Sequence, residues 1–187
     1  SKEDLLLGVT AEIDAELATR TKSHPEFAGM GTTLTALFLN GSDVELLHVG
    51  DSRCYRIKKD KVEQISHDHT VMQELLDQGR LTPDEVANHP QRSLLTQVLM
   101  GDSPIHPLLL VKEVKAGDRF LLCSDGLSSV LSELEINKVI KAGGDLIGNL
   151  LAAVREQGAP DNITIVLSEV VALEAASDLE KFGAARG

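Results

Sequence analysis

The sequence predicts an α+β fold with packed antiparallel sheets. Three observations carry that expectation. Strand-like runs, about eight of them, outnumber the helical segments. They come in consecutive runs instead of alternating with helices, which argues against a doubly wound parallel sheet. An Asn40-Gly41 pair also stands between two of the first runs, a strong hairpin signal.

The elements follow in order. Residues 4–18 read as an amphipathic helix with Leu5, Val9, Ile13 and Leu17 as its apolar stripe. Ser23-His24-Pro25 breaks it. Thr32–Leu39 and Val44–Val49 flank Asn40-Gly41 as a hairpin. Tyr55–Ile57 and Val62–Ile65, split by the charged Lys58–Lys61, form the next one. The middle changes character. Thr70 with Gln73 reads as a capping box, and Gly79 stops that helix. Thr82-Pro83-Asp84-Glu85 starts another, with Pro at the first helical position, and Asn88-His89-Pro90 ends it. Residues 66–100 are thus an insertion of short helices between strands, a segment that serves either as a lid or binding loop or as plain structural filler. Strands return at Leu108–Val114 and Arg119–Cys123. Ser132 with Glu135 caps a helix to about Lys141, and Asp145–Glu156 forms the last one. Ile163–Val171 is an apolar β-branched strand. Residues 174–187 lose periodicity and read as a tail or linker after a domain spanning 1–173.

Composition narrows the function classes. A chain of 187 residues is long enough for about one domain, which can bury roughly 70% of its unfolded surface without a disulfide or metal staple. Hydrophobic residues at 42% and charged residues at 25% exclude a disordered chain. The 29 acidic residues exceed the 18 basic ones, for a net charge of −11, and no Lys/Arg cluster appears. Nucleic acid and anionic membranes are therefore excluded as partners. No apolar run approaches the roughly 18 residues that cross a bilayer. With four Phe, one Tyr and no Trp there is no platform for stacking bases or sugars. Cys54 and Cys123 sit in apolar strand-like runs without a CxxC unit. They read as small buried hydrophobes in a reducing compartment.

Three aspartates stand at sharp strand-end turns: Asp51 in Val49-Gly50-Asp51-Ser52-Arg53, Asp125 in Ser124-Asp125-Gly126-Leu127, and Asp161 in Pro160-Asp161-Asn162. Neighbouring glycines let the backbone turn tightly and expose a carboxylate. Each alone is a common turn residue. Three on one scaffold could converge on a hard cation such as Mg²⁺ or Mn²⁺, which prefers oxygen ligands. The other candidates have plainer readings. His67-Asp68-His69 lacks a matching Cys/His pair and reads as a turn, not a zinc site. His48 reads as a satisfied core histidine, Ser124 as a turn hydroxyl bonding nearby backbone, and Arg53 as the partner of a nearby Asp.

Taken together, these segments resemble the metal-dependent Ser/Thr protein phosphatase family, type 2C, and look most like its actinobacterial members. Gly29-Met30-Gly31-Thr32-Thr33, Gly50-Asp51-Ser52-Arg53, Ser124-Asp125-Gly126-Leu127 and Asp161-Asn162-Ile163-Thr164 match its motifs in order and spacing. Gly79-Arg80-Leu81-Thr82 and His89-Pro90-Gln91-Arg92 are similar to its bacterial flap. The resemblance implies a sandwich of two antiparallel sheets flanked by helices, with metals in a cleft at the sheet edges. It implies hydrolysis of phosphoserine and phosphothreonine on proteins by a metal-activated water, opposing Ser/Thr kinases, in the cytoplasm or on the cytosolic side of a membrane anchor. It implies two core Mn²⁺ or Mg²⁺ ions, one of them held by Asp125 and Asp161, and a third held by Asp51 with Asp125. The family's earlier Asp-Gly-x-Gly-Gly segment and an upstream phosphate-gripping Arg have no match in residues 1–28. The expectation is of a domain lacking its front strands, with little turnover by this chain alone. A non-catalytic binding module of the same fold, or an inactive fragment, is the alternative.

Overall fold

The computed structural model describes residues 2–59, 61–87 and 89–171. The expected tail at 174–187 and the domain limit at 173 lie outside the described residues.

Among the described residues there are seven strands, one fewer than the sequence suggested. They are β1 (Leu34–Asn40), β2 (Asp43–Val49), β3 (Arg53–Lys58), β4 (Lys61–Gln64), β5 (Leu108–Glu113), β6 (Arg119–Cys123) and β7 (Ile165–Glu169). They form two antiparallel sheets, β1-β2-β5 and β4-β3-β6-β7. Both expected hairpins form, with Asn40 opposite Asp43 and Lys58 opposite Lys61. The last strand starts two residues later than expected, because Asp161–Thr164 docks against the end of β6 instead of continuing the sheet.

Side-chain alternation along the strands builds two cores. On one face, Cys54 of β3 and Phe120 of β6 meet Val44 and Leu46 of β2, so the sheets pack face to face. On the other, Tyr55, Ile57 and Leu121 pack under Ile136 and Ile140 of α5 (Glu133–Ala142) and Leu150 and Val154 of α6 (Leu146–Glu156). Fully burying each such side chain contributes roughly 1.5–3 kcal/mol. The Ser132–Glu135 capping box closes both ways and starts α5. Cys54 and Cys123 are buried and unpaired.

A buried contact across the sheets is polar. Arg56 of β3 is ion-paired with Asp118, both buried, and donates to the Glu113 carbonyl on β5 at 2.7 Å. The bond to Glu113 ties the second sheet to an edge of the first, and Asp118 holds the Arg56 side chain that makes it.

The first helix, α1 (Lys2–Ser23), is longer than expected and turned differently. Leu5 and Val9 are 66% and 41% exposed, while Leu6 and Thr10 are buried. The helix packs on the first sheet through Leu6, beside Leu109 and Val111. The Thr10 hydroxyl is satisfied locally by donating to the Leu6 carbonyl at 2.9 Å. Farther along, Asp14 accepts from the backbone N–H groups of Met100 and Gly101 at 2.9 and 2.7 Å. Tertiary contact overrides the leucine stripe that spacing alone suggests.

The 66–100 segment holds α2 (Val71–Asp77) and α3 (Pro83–Ala87) between β4 and β5. Thr70 caps α2 by accepting from Gln73 N–H. The Gln73 side chain turns to Asp77 instead, so this box closes in one direction only.

Candidate active site

The turn between β2 and β3 carries Asp51. Gly50 has φ +106°, and a Cβ there would run into the Thr33 side chain, so only glycine fits. The turn is held from several sides. His69 N–H donates to the Gly50 carbonyl at 2.8 Å, and Gly50 N–H donates back to His69 Nδ1 at 3.2 Å. Thr35 Oγ1 donates to the Ser52 carbonyl at 2.9 Å. Arg53 grips Asp68 through Nε and Nη2 at 2.7–3.0 Å, and Gln64 donates a further bond to that carboxylate at 3.0 Å. Arg53 thus finds its Asp partner as expected.

The His67-Asp68-His69 stretch is not a simple turn, which corrects the sequence reading. Asp68 is buried as the partner of Arg53, His69 clamps Gly50, and His67 pairs with Asp77 at 2.7 Å. Asp68 and His69 are site residues that sequence reasoning missed. Their only signal was three polar residues wedged between a strand and a capped helix. His48 is half satisfied: Nδ1 meets Thr35 Oγ1 at 2.9 Å, and the buried Nε2 has no partner. Burial, with His69 beside it, lowers its pKa to about 4, so it is neutral. Burial also lowers His69, which suits a neutral ring accepting at Nδ1.

Asp125 stands where β6 ends. It opens a one-turn helix, α4 (Asp125–Ser128), where the sequence suggested a bare turn. The Ser124 hydroxyl accepts from Thr164 N–H at 3.0 Å, and Ser124 N–H donates to the Thr164 carbonyl at 3.1 Å. This is the backbone-bonding role read for Ser124, and it docks the 161–164 loop beside Asp125. Gly126 permits the contact, because a Cβ there would collide with the Asn162 carbonyl.

A cavity of about 340 Å³ opens at this end of the sandwich. Asp51, Arg53, Asp68 and Asp125 line one side. Val86, Arg92 and Ser93 come from the 66–100 segment, and Ser132 and Glu135 from the start of α5. Asp51 and Asp125 therefore share one cleft. Asp161 stands in the adjoining loop, exposed, with its Oδ1 accepting from Asn162 N–H at 2.6 Å. It is not among the cleft-lining residues. Among the described residues no group of three or more His, Cys, Asp or Glu is arranged to hold a metal ion.

The electrostatics of the cleft are lopsided. Burial raises the Asp51 carboxyl above its ordinary value, and the charges of Asp125 and Asp68 raise it further. Its own backbone N–H and Arg53 pull the other way and lose. Arg53 is already taken by Asp68. Among the described residues neither carboxylate has a cation of its own, and two such groups facing one space fit a hard divalent ion, whose ligands are oxygens.

Residues 2–167 match the family model described as Protein phosphatase 2C. The chain is 41% identical over 177 residues to the serine/threonine protein phosphatase PstP of Mycobacterium tuberculosis, covering 90% of this chain and 34% of that protein. It thus spans about a third of that relative's length. The crystal structure of the PstP catalytic domain in complex with two manganese ions superposes with a TM-score of 0.75 at 36% identity, covering 85% of this chain and 67% of that one. The serine/threonine phosphatase Stp1 of Staphylococcus aureus superposes with a TM-score of 0.84 at 31% identity, covering 91% and 68%. The expected α+β sandwich is the architecture of these structures. The named relatives are phosphatases, which does not favour the non-catalytic alternative.

Proposed function

The chain belongs to the protein phosphatase 2C family, and from that membership we propose that it removes phosphate from phosphoserine and phosphothreonine in proteins. The proposal includes Mn²⁺ or Mg²⁺ as cofactor, with Asp51, Asp125 and Asp161 as ligands from this chain. Its partners are phosphorylated proteins, and it opposes Ser/Thr kinases. The cytosolic setting proposed with it rests on two buried, unpaired cysteines.

One observation carries the reading. Asp51 and Asp125 face the same cleft without a cation of their own, and Asp51 is raised by burial and by Asp125. When bound, the divalent ions supply positive charge for phosphate oxygens and bring water's acidity towards neutral pH. The chain's own residues do the positioning. Gly50, His69 and Thr35 hold the Asp51 turn, and Arg53 with Asp68 locks the strand end beneath it. The Ser124–Thr164 bonds keep the Asp161 loop beside Asp125. Val86, Arg92 and Ser93 of the 66–100 segment also line this cleft.

Phosphate release from a phosphothreonine peptide tests this directly. Release by this chain alone should be slow but measurable and dependent on Mn²⁺, and it should fall roughly a hundredfold or more in Asp125→Asn, the rate equivalent of several kcal/mol. Equal rates in both proteins, or release indifferent to metal, would reject the mechanism.

A further inference from the structure

The cleft that holds Asp51 and Asp125 is also lined by a carboxylate that the hydrolytic chemistry does not use. Glu135 lines the same cavity as Asp51 and Asp125, at the start of α5. Its position is fixed. Oε2 accepts from Ser132 N–H at 2.8 Å and from Ser132 Oγ at 2.7 Å, and Oε1 receives only a long contact from Gln157 at 3.4 Å. Oε1 therefore keeps room for a strong donor. These bonds hold the Glu135 carboxyl below its ordinary range, so it is charged at neutral pH. Exposed ion pairs are weak mainly because both side chains must be immobilised. Here one is immobilised already by the helix cap, which lowers the ordering cost of pairing.

The charges facing this space are unequal. Asp51, Asp68, Asp125 and Glu135 stand against Arg53 and Arg92, and Arg53 is committed to Asp68. A cavity of about 340 Å³ is in the range of small-molecule sites and larger than one phosphorylated side chain needs. An extended peptide with its phosphoryl group over Asp51 and Asp125 would run on past Val86, Arg92 and Ser93 towards the start of α5, all of which line the same cavity. A neighbouring side chain then lies against Glu135.

We propose that Glu135 is a specificity-determining residue: it selects phosphoprotein substrates that carry a Lys or Arg beside the phosphorylated residue. This rests on the phosphatase reading and adds the class of substrate to it.

The test compares two phosphothreonine peptides that differ only in having Lys or Ser next to the phosphothreonine. It uses the full chain and Glu135→Gln, with both KM and kcat measured. Gln preserves the Ser-x-x-Gln form of the capping box, so the helix start is kept while the charge is removed. Unchanged circular dichroism melting of the variant checks that directly. The wild type should show a KM about two- to fivefold lower for the Lys peptide, the scale of an exposed charge pair. In Glu135→Gln that advantage should vanish, with kcat and the Ser-peptide KM unchanged. An advantage that survives in the variant, or equal KM values in the wild type, overturns the assignment while Mn²⁺-dependent release leaves the phosphatase reading standing. No metal-dependent release from either peptide overturns the reading itself, and this inference with it.

Discussion

Strand β3 carries two arginines three residues apart, and their surroundings differ in kind. Arg56 faces the inter-sheet core, where it pairs with the buried Asp118 and reaches the Glu113 carbonyl. Every charge there is answered. Arg53 stands at the cleft end, where it answers Asp68 while Asp51 and Asp125 remain without a cation of their own. The same residue types thus do two jobs. At one end charge is neutralised to hold the sheets together. At the other it is left unbalanced, at a cost to stability, where a divalent ion and a phosphoryl group can meet it.

That contrast can be broken from the buried side first. Asp118→Ala leaves Arg56 buried without its partner. It should cost about 3–5 kcal/mol in urea unfolding, as for other broken buried pairs. Acid should weaken the same contact. Burial raises the Asp118 carboxyl, but Arg56 and the Lys115 N–H outweigh that and hold it below 3.8. Its contribution is therefore present above pH 3.8 and is lost as pH falls through the lower folded value. A variant as stable as the wild type would mean that the pair holds nothing together.

At the cleft end the effects on stability should be smaller and those on function larger. Arg53→Met strips Asp68 of its main partner and should cost roughly 1–3 kcal/mol. It should also loosen the Asp51 turn, read as weaker Mn²⁺ binding; stability lost with metal affinity intact would separate the two roles. Gly126→Ala pushes the Asn162 carbonyl, and with it the Asp161 loop, away from Asp125. Metal-dependent turnover should drop while the two cores stay folded. The smallest effect has the opposite sign. A carboxyl raised in the folded state loses stability as pH climbs through its folded value. Asp51→Asn should therefore melt higher than the wild type at neutral pH in metal-free buffer. The gain should shrink as pH falls through the raised folded value and vanish below 3.8, where Asp51 is protonated with or without folding. A variant that melts lower at neutral pH would mean that Asp51 is not an unbalanced charge.

Local signals in the sequence were readable wherever the cause was local. Asn40-Gly41, the Ser132–Glu135 cap and the glycine beside Asp51 each act within a few residues, and they marked the hairpin, the helix start and the turn; at Asp125 the chain opens a one-turn helix instead. The Arg53–Asp68 and Arg56–Asp118 pairs join residues 15 and 62 apart, so no spacing rule could name the partner. The face of α1 was misread for the same reason: a sheet far along the chain chose Leu6 over Leu5. His69 was passed over because a histidine clamping a distant turn looks like any loop histidine until Gly50 is set beside it.

The central claim is that Asp51 and Asp125 together hold a divalent cation, and calorimetric titration of the full chain with Mn²⁺ tests it most directly. The wild type should give a saturable exothermic or endothermic isotherm that either Asp51→Asn or Asp125→Asn weakens by tenfold or more. Isotherms that are the same in all three proteins would contradict it.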